Sequence, residues 1–372
     1  MPKKIMLVAG ARPNFMKIAP LMWEIQQRNE VDAFLVHTGQ HYDERMSQRF
    51  FEELDIPAPD VNLEVGSGSH AQQTAEVMKR FEPVLTSQRP DLLLVVGDVN
   101  STLACALVAS KLRVPVAHVE AGLRSFDRAM PEEINRVLTD AVSDWLFVTE
   151  PSGLANLRAE NVPAERTFLV GNVMIDSLVA SLPRIESSPI LDDLKLAERK
   201  YAVLTMHRPS NVDQPMVLER LVGAILRVAR DIPLVFPVHP RARRNLEQTH
   251  PELIERVRCV DPLGYFDFMQ LVRQARFVLT DSGGVQEETT YLGVPCLTMR
   301  ENTERPVTVA QGSNRLVGVD PDRIVSEALS VLAHTSPRRQ VPDLWDGKAA
   351  GRILDVLQGR TAATMQRALA QR

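Results

Sequence analysis

Short apolar runs rich in Val, Leu and Ile, each closed by Gly, Asp, Pro or another polar residue, recur along this chain and alternate with longer amphipathic stretches. In the first half they are Ile5 to Ala9, Ala33 to Thr38, Leu92 to Val96, Val116 to Val119, Leu146 to Val148 and Thr167 to Val170. A strand that is apolar on both faces must be covered on both, and the amphipathic segments supply helices for the cover. That is the pattern of a parallel sheet wound through helical crossovers. It breaks around Ser181 to Glu198, with Pro183, Pro189 and a charged stretch, and resumes at Ala202 to Thr205, Leu234 to Val238, Phe277 to Leu279 and Pro295 to Thr298. An α/β fold of two Rossmann-like domains is expected, residues 1–182 and 183–372, because a chain of 372 residues exceeds what one core usually serves. Gly351 to Arg372 reads as a final helix that packs on its own domain or crosses back over the first.

The balance of charge narrows the partners. A net charge of -4 with 24% charged residues gives neither the basic surplus of a nucleic-acid binder nor the bias of a disordered tail, so an anionic ligand must be held locally. No apolar stretch approaches the roughly 20 residues that span a bilayer. Cys105, Cys259 and Cys296 are widely spaced and form no metal-ligand pair, which suits core thiols in a reducing compartment. With no signal-like segment at Lys3-Lys4, a cytoplasmic protein without nucleic-acid or membrane partners is expected.

In open parallel sheets ligands bind beyond the carboxyl ends of the strands, so polar residues just after each apolar run come first. Gly10-Ala11-Arg12-Pro13 follows the first run: Gly10 permits a tight turn, Pro13 starts a helix, and Arg12 and Lys17 bring positive charge toward a phosphate. A solvated Arg and Lys beside an ordinary turn would look the same. The chain has no Gly-x-Gly-x-x-Gly at this place, so the dinucleotide fingerprint is missing. Gly97-Asp98 and Glu120-Ala121-Gly122 end two runs whose strands are expected side by side, and two strand-end carboxylates facing one crevice favour acid/base chemistry, although each singly is more simply a helix cap or surface acid. Glu132 and Glu133, by themselves, read as first-turn acids of a helix begun by Pro131.

In the second half, His207 and Arg208 follow the first run, where a protonatable group could close on a diphosphate. His239 is similarly placed and reads rather as structural. Thr280-Asp281-Ser282-Gly283-Gly284 is the strongest single signal: a strand ends, two glycines allow close backbone approach, and a helix opens whose amides can cradle phosphate oxygens. Glu288, one turn in, could accept from ribose hydroxyls, and Phe268 in Tyr265-Phe266-Asp267-Phe268 could meet a base or simply fill the core. Asp320-Pro321-Asp322 reads as a helix cap with its Pro, not a metal site.

Together these stretches, with Gly39-Gln40-His41, Asn135-Arg136 and Thr303-Glu304-Arg305-Pro306, resemble the non-hydrolysing UDP-N-acetylglucosamine 2-epimerases over essentially the whole chain. The resemblance implies a glycosyltransferase-B-like fold with a cleft between the domains, a homodimer, no metal and no cofactor. It implies interconversion of UDP-N-acetylglucosamine and UDP-N-acetylmannosamine by anti elimination of UDP to a 2-acetamidoglucal and its re-addition. Carried over residue by residue, Asp98, Glu120 and Glu132 resemble the acid/base carboxylates, with Lys17 and His207 also catalytic. Arg12, Arg136 and Arg305 resemble groups around diphosphate and sugar, Ser282, Gly283 and Gly284 the phosphate turn, Glu288 the ribose contact, and Phe268 the residue beside uracil. Gln40, His41, Arg208 and His239 match a second UDP-sugar site that activates many bacterial members. That site departs from the family pattern at Asp43, where Gln is expected, and at Gly66 to His70, which offers no matching Arg. Ser210 replaces a common Glu, and Ala310 and Gln311 a common acidic pair, changes that bear on sugar preference. The same motifs fit a hydrolysing 2-epimerase and a 2-epimerase of a C3- or C6-modified UDP-sugar; a non-catalytic UDP-sugar sensor would not require the three carboxylates together.

Overall fold

A computed structural model describes residues 2–39, 51, 53–334 and 340–359, apart from the side chains at positions 12, 240 and 241. The chain divides into two compact units, one formed by residues up to Val179 with the described residues from Asp343, the other by Ala180–Pro342.

The first unit is built on a parallel sheet of β1 (Lys4–Ala9), β2 (Asp32–His37), β3 (Val61–Asn62), β4 (Leu92–Val96), β5 (Val116–Ala121), β6 (Trp145–Val148) and β7 (Thr167–Leu169). Their order in space is β3-β2-β1-β4-β5-β6-β7. β4 is buried along its whole length, as are all but the first residue of β1, which is why both read as unbroken apolar runs. Helices Arg12–Arg28, His70–Gln88, Asn100–Lys111 and Pro131–Val142 carry the chain between strands. Val77, Phe81 and Leu85 on one face of the His70–Gln88 helix pack with Val8, Val36, Leu93 and Val95 of the sheet. Ser69 caps that helix, its hydroxyl accepting from the Gln72 amide while the Gln72 side chain reaches back to Ser69.

The final helix, Ala349–Leu357, belongs to this first unit. Arg28 holds it through Asp355 at 2.6 Å, Gln358 at 3.1 Å and the Gly351 carbonyl at 3.0 Å. At its start Asp176 accepts from the amides of Ala349 and Ala350, at 3.1 and 2.7 Å. Met365 and Leu369 lie outside the described residues.

The second unit repeats the plan with β8 (Ala202–Thr205), β9 (Leu234–Pro237), β10 (Arg258–Val260), β11 (Val278–Thr280), β12 (Cys296–Thr298) and β13 (Asn314–Leu316), in the order β10-β9-β8-β11-β12-β13. Its core joins Leu204, Phe236, Leu279 and Leu297 of the sheet to Leu221, Ile225 and Ile324 of the covering helices. Asp320 caps the Pro321–Ala333 helix by accepting from the amides of Asp322 and Arg323, which accounts for that Asp-Pro-Asp run without a metal. Among the described residues no helix is long and apolar enough to cross a membrane.

Candidate active site

In the first sheet the strand order reverses between β1 and β4, and the polar residues that follow β1, β4 and β5 gather there. Lys17, in the second turn of the Arg12–Arg28 helix, is buried and makes an ion pair with the buried Glu120. Glu120 has a left-handed backbone, φ 74°, and the pairing of β5 with β6 shifts register between Val119 and Ala121. Such an irregularity at a strand end re-aims a side chain, and a non-glycine residue held this way stores about 1–3 kcal/mol that its surroundings must support. Gly97 also has positive φ, 67°, and a Cβ there would come within 2.7 Å of Lys17 Nζ. The turn after β1 is tied down by Asn14, whose side-chain oxygen accepts from the amides of Gly10 and Ala11, both at 3.0 Å, while its Nδ2 donates to the Val96 carbonyl.

Asp98 follows Gly97. Its carboxylate is held by Arg136, at 3.0 Å from Nε and 2.9 Å from Nη2, and its carbonyl accepts from Asn135 Nδ2 at 2.9 Å. Arg136 is in turn ion-paired with Glu133, which also accepts from the amides of Ser125 and Phe126. Glu133, read from sequence as a first-turn acid, is therefore the residue that fixes both Arg136 and the 125–126 turn. Glu132 is half-exposed on the same first turn. The structure thus places two ion pairs, Lys17–Glu120 and Arg136–Asp98, at the ends of the neighbouring strands β4 and β5, with Gly97 next to Asp98 and under Lys17 Nζ. The Arg12 side chain, Gln40 and His41 lie outside what is described.

In the second sheet the reversal falls between β8 and β11. Asp281, fully buried just past β11, accepts from the amides of His207 and Arg208, from Asn211 Nδ2, and from His207 Nδ1 at 2.8 Å. Burial acts to raise its pKa, but the His207 hydrogen bond and charge with the two amides outweigh that and hold the carboxyl below its ordinary value. The His207 side chain is 63% exposed, so with Nδ1 directed at Asp281 its Nε2 is the nitrogen presented outward. Asp281 orients the ring, a role the sequence reading did not assign although the residue stood in its strongest motif. Arg208 donates from Nε to the Asp281 carbonyl at 3.0 Å.

Ser282 precedes the Gly283–Leu292 helix, with Gly283 and Gly284 supplying its first amides, which have no acceptors inside the helix. A Cβ on Gly283 would lie 2.7 Å from Glu304 Oε1 and 3.0 Å from Arg305 Nη1, so the turn rests directly on these two residues. Arg305 is buried between Glu287 at 2.7 Å and Glu304 at 2.6 Å, and Glu304 is paired as well with Arg300. Arg305 thus supports the turn with its charge offset by carboxylates. Glu288 is buried beside the phenol of Tyr265, whose pKa is raised by burial and then by that carboxylate. Phe268 is half-buried on the Tyr265–Arg273 helix, and His239 is exposed at the end of β9.

The first unit therefore offers a carboxylate paired with a buried ammonium beside a second carboxylate, a set able to take and return a proton. The second offers a helix-start amide turn next to an oriented imidazole, a set able to hold an anionic leaving group.

The family model for UDP-N-acetylglucosamine 2-epimerase matches residues 23–358. A UDP-N-acetylglucosamine 2-epimerase homologue of Methanococcus maripaludis is 44% identical over 365 residues, covering 95% of this chain and 99% of the relative. A UDP-2,3-diacetamido-2,3-dideoxy-D-glucuronate 2-epimerase of Pseudomonas aeruginosa is 44% identical over 336 residues, 89% of this chain and 93% of its own. Among solved structures, the Methanocaldococcus jannaschii UDP-GlcNAc 2-epimerase in complex with UDP-GlcNAc and UDP superposes with a TM-score of 0.89 at 39% identity, covering 96% of this chain and 99% of that one. The chain belongs to the UDP-N-acetylglucosamine 2-epimerase family.

Proposed function

We propose that this chain epimerises a UDP-sugar at C2, interconverting UDP-N-acetylglucosamine and UDP-N-acetylmannosamine. The buried Lys17–Glu120 pair at the switch point of the first sheet, in a chain of this family, is the observation that carries the reading. The C2 proton is not next to a carbonyl, so a carboxylate alone removes it too slowly; the C1–O bond must be breaking as the proton leaves. The C2–H electrons form the C1–C2 double bond of the 2-acetamidoglucal, the C1–O pair departs with UDP, and the proton goes to a carboxylate. Re-addition delivers a proton to the other face of C2 and the UDP oxygen to C1. Glu120 and Asp98 are the carboxylates assigned to these proton transfers, with Glu132 as the third. The charge that builds on the diphosphate is met by the Gly283 and Gly284 amides and by His207 Nε2, with Arg12 assigned a supporting part, so the mechanism needs no metal ion. Glu288 is assigned to the ribose and Phe268 to the uracil. Asp43 and the Arg-free 66–70 segment count against activation by a second UDP-sugar through Gln40, His41, Arg208 and His239.

A second reading keeps the chemistry and changes the sugar. The Pseudomonas relative, named for a diacetamido uronate, equals the Methanococcus one in identity, at 44%, over a shorter match, and exposed Ser210 next to the His207-Arg208 turn alters the charge expected there. Incubating the protein with each UDP-sugar in turn and separating epimers from free UDP by chromatography decides between these. A new UDP-linked epimer without free UDP supports the proposal; stoichiometric UDP release makes the enzyme hydrolytic; no change with either sugar overturns it. We propose further that the protein acts in the cytoplasm as a homodimer. Sedimentation of the purified chain tests the dimer, and a single monomeric species would refute it.

A further inference from the structure

His118 lies in the middle of β5, fully buried, and both of its ring nitrogens face oxygens: Nε2 meets the Gly97 carbonyl at 2.8 Å and Nδ1 meets Asp140 Oδ1 at 2.6 Å. The Gly97 amide donates to the Val119 carbonyl at 3.0 Å, so the peptide groups on both sides of Gly97 are tied to β5. The other oxygen of Asp140 accepts from the Gly122 amide at 3.0 Å and from Arg124 Nη2 at 2.7 Å. One buried carboxylate and one buried ring therefore span two turns, Gly97-Asp98 after β4 and Glu120-Ala121-Gly122 after β5. Gly97, Glu120 and Gly122 all have left-handed backbones, at φ 67°, 74° and 78°. Gly97 and Gly122 adopt this conformation without steric cost, whereas Glu120 between them persists in it only where the surroundings hold it.

We propose that His118, braced by Asp140, is a positioning residue for proton transfer: by holding the Gly97 carbonyl it sets where Asp98 stands relative to the Lys17–Glu120 pair. The proposal deepens the epimerase reading and rests on it for its kinetic consequence. His118 touches neither carboxylate. It acts through the Gly97 peptide, whose far side carries Asp98 and whose Cα lies under Lys17 Nζ. Nucleophilic or metal-binding roles do not suit a ring with both nitrogens already turned to protein oxygens, and a purely structural histidine would not need to grip the one carbonyl that leads into Asp98.

Two replacements separate the bonds. In His118→Asn the side-chain amide nitrogen falls near the place of Nδ1 and can still donate to Asp140, but nothing reaches Gly97. In His118→Gln the amide nitrogen falls near the place of Nε2 and can still donate to the Gly97 carbonyl. With the UDP-sugar that the wild type turns over, His118→Asn should lower kcat about 100-fold with KM changed less than about three-fold, as expected for a displaced reacting group. His118→Gln should recover most of the lost kcat. Equal kcat loss in both variants at equal melting temperature, or loss in neither, would overturn the proposal. A crystal structure of ligand-free His118→Asn reads the same claim without substrate. The Gly97 carbonyl should turn away and the Asp98 carboxylate move relative to Glu120; unchanged positions of both would overturn the proposal even if the enzyme reading stands. A wild type inert toward every UDP-sugar defeats that reading separately, leaving the crystal structure to judge the brace.

Discussion

Replacing Gly97 with alanine separates backbone strain from side-chain crowding at the proposed catalytic cluster. Gly97 has φ 67°, a region that costs an L-residue about 1–2 kcal/mol, and its new Cβ would stand 2.7 Å from Lys17 Nζ. The Lys17 end is flexible and gives way, but withdrawal to ordinary van der Waals separation is a shift of about 0.7 Å, and it pulls against the ion pair with Glu120. Gly293 is the matched control: its φ is 66°, it ends the Gly283–Leu292 helix, and a Cβ there meets nothing within 4 Å. Gly293→Ala should therefore cost about 1–2 kcal/mol, a melting shift of about 2–8 °C for a unit of this size, with kcat intact. Gly97→Ala should carry the same strain and in addition lose about 100-fold in kcat, because a sub-ångström to ångström misplacement of reacting groups is enough for that. Calorimetry and steady-state kinetics on both variants check it. Wild-type kcat in Gly97→Ala, or an equal loss in Gly293→Ala, would refute the placement of Lys17 and Glu120 at the reacting atoms.

Glu120→Gln should leave UDP affinity within a few-fold while turnover falls by about 10²–10⁴, since a proton acceptor is removed and the nucleotide contacts are not; parallel loss of binding would make Glu120 a positioning residue instead. His207→Asn keeps a donor for Asp281 but removes Nε2, so the fold should keep its melting temperature while kcat drops at least about ten-fold; unchanged kcat would remove His207 from the mechanism. Asp176, buried at the start of the last helix, has its carboxyl pushed up to about 6, by burial first and opposed by the Ala349 and Ala350 amides. Folded Asp176 thus holds its proton at pH values where the unfolded chain has lost it, so its stabilising contribution is full below about pH 4 and is lost as pH rises through 6, about 3 kcal/mol in all. Denaturant titrations of wild type and Asp176→Asn across pH 4–7 should show wild type losing that amount relative to the variant as pH rises; a difference independent of pH would contradict it.

Of the four edge strands, β3, β7, β10 and β13, the sequence revealed only β7, through the run Thr167 to Val170. The interior strands β1, β4, β8, β11 and β12 have neighbours on both sides and read as mainly apolar runs, β5 does so but for His118 and Glu120, and β3, β10 and β13, which escaped notice, are edges. Val61–Asn62 is only two residues long, and Arg258 and Arg315 place charges in β10 and β13, as edges tolerate and interiors do not. The return of the last helix to the first unit rests on Arg28 and Asp176, residues 323 and 174 positions away from Gly351 and Ala350, and no local pattern announces such partners. At the site, residues just past strand ends were legible because the strand signal locates them. Their supports were less so. Asp281 and Glu304 stood inside quoted motifs without a role, Glu133 looked like a helix-start acid, and Asp140 sits within a helix with nothing around it to mark its contact with His118.

The most direct test of the central claim is proton NMR of the purified protein with UDP-N-acetylglucosamine in heavy water, with no metal added. Elimination and re-addition through Glu120 and Asp98 predicts UDP-N-acetylmannosamine with deuterium at C2 of both epimers and little free UDP. Epimerisation that keeps all protium at C2 would contradict proton transfer by these carboxylates.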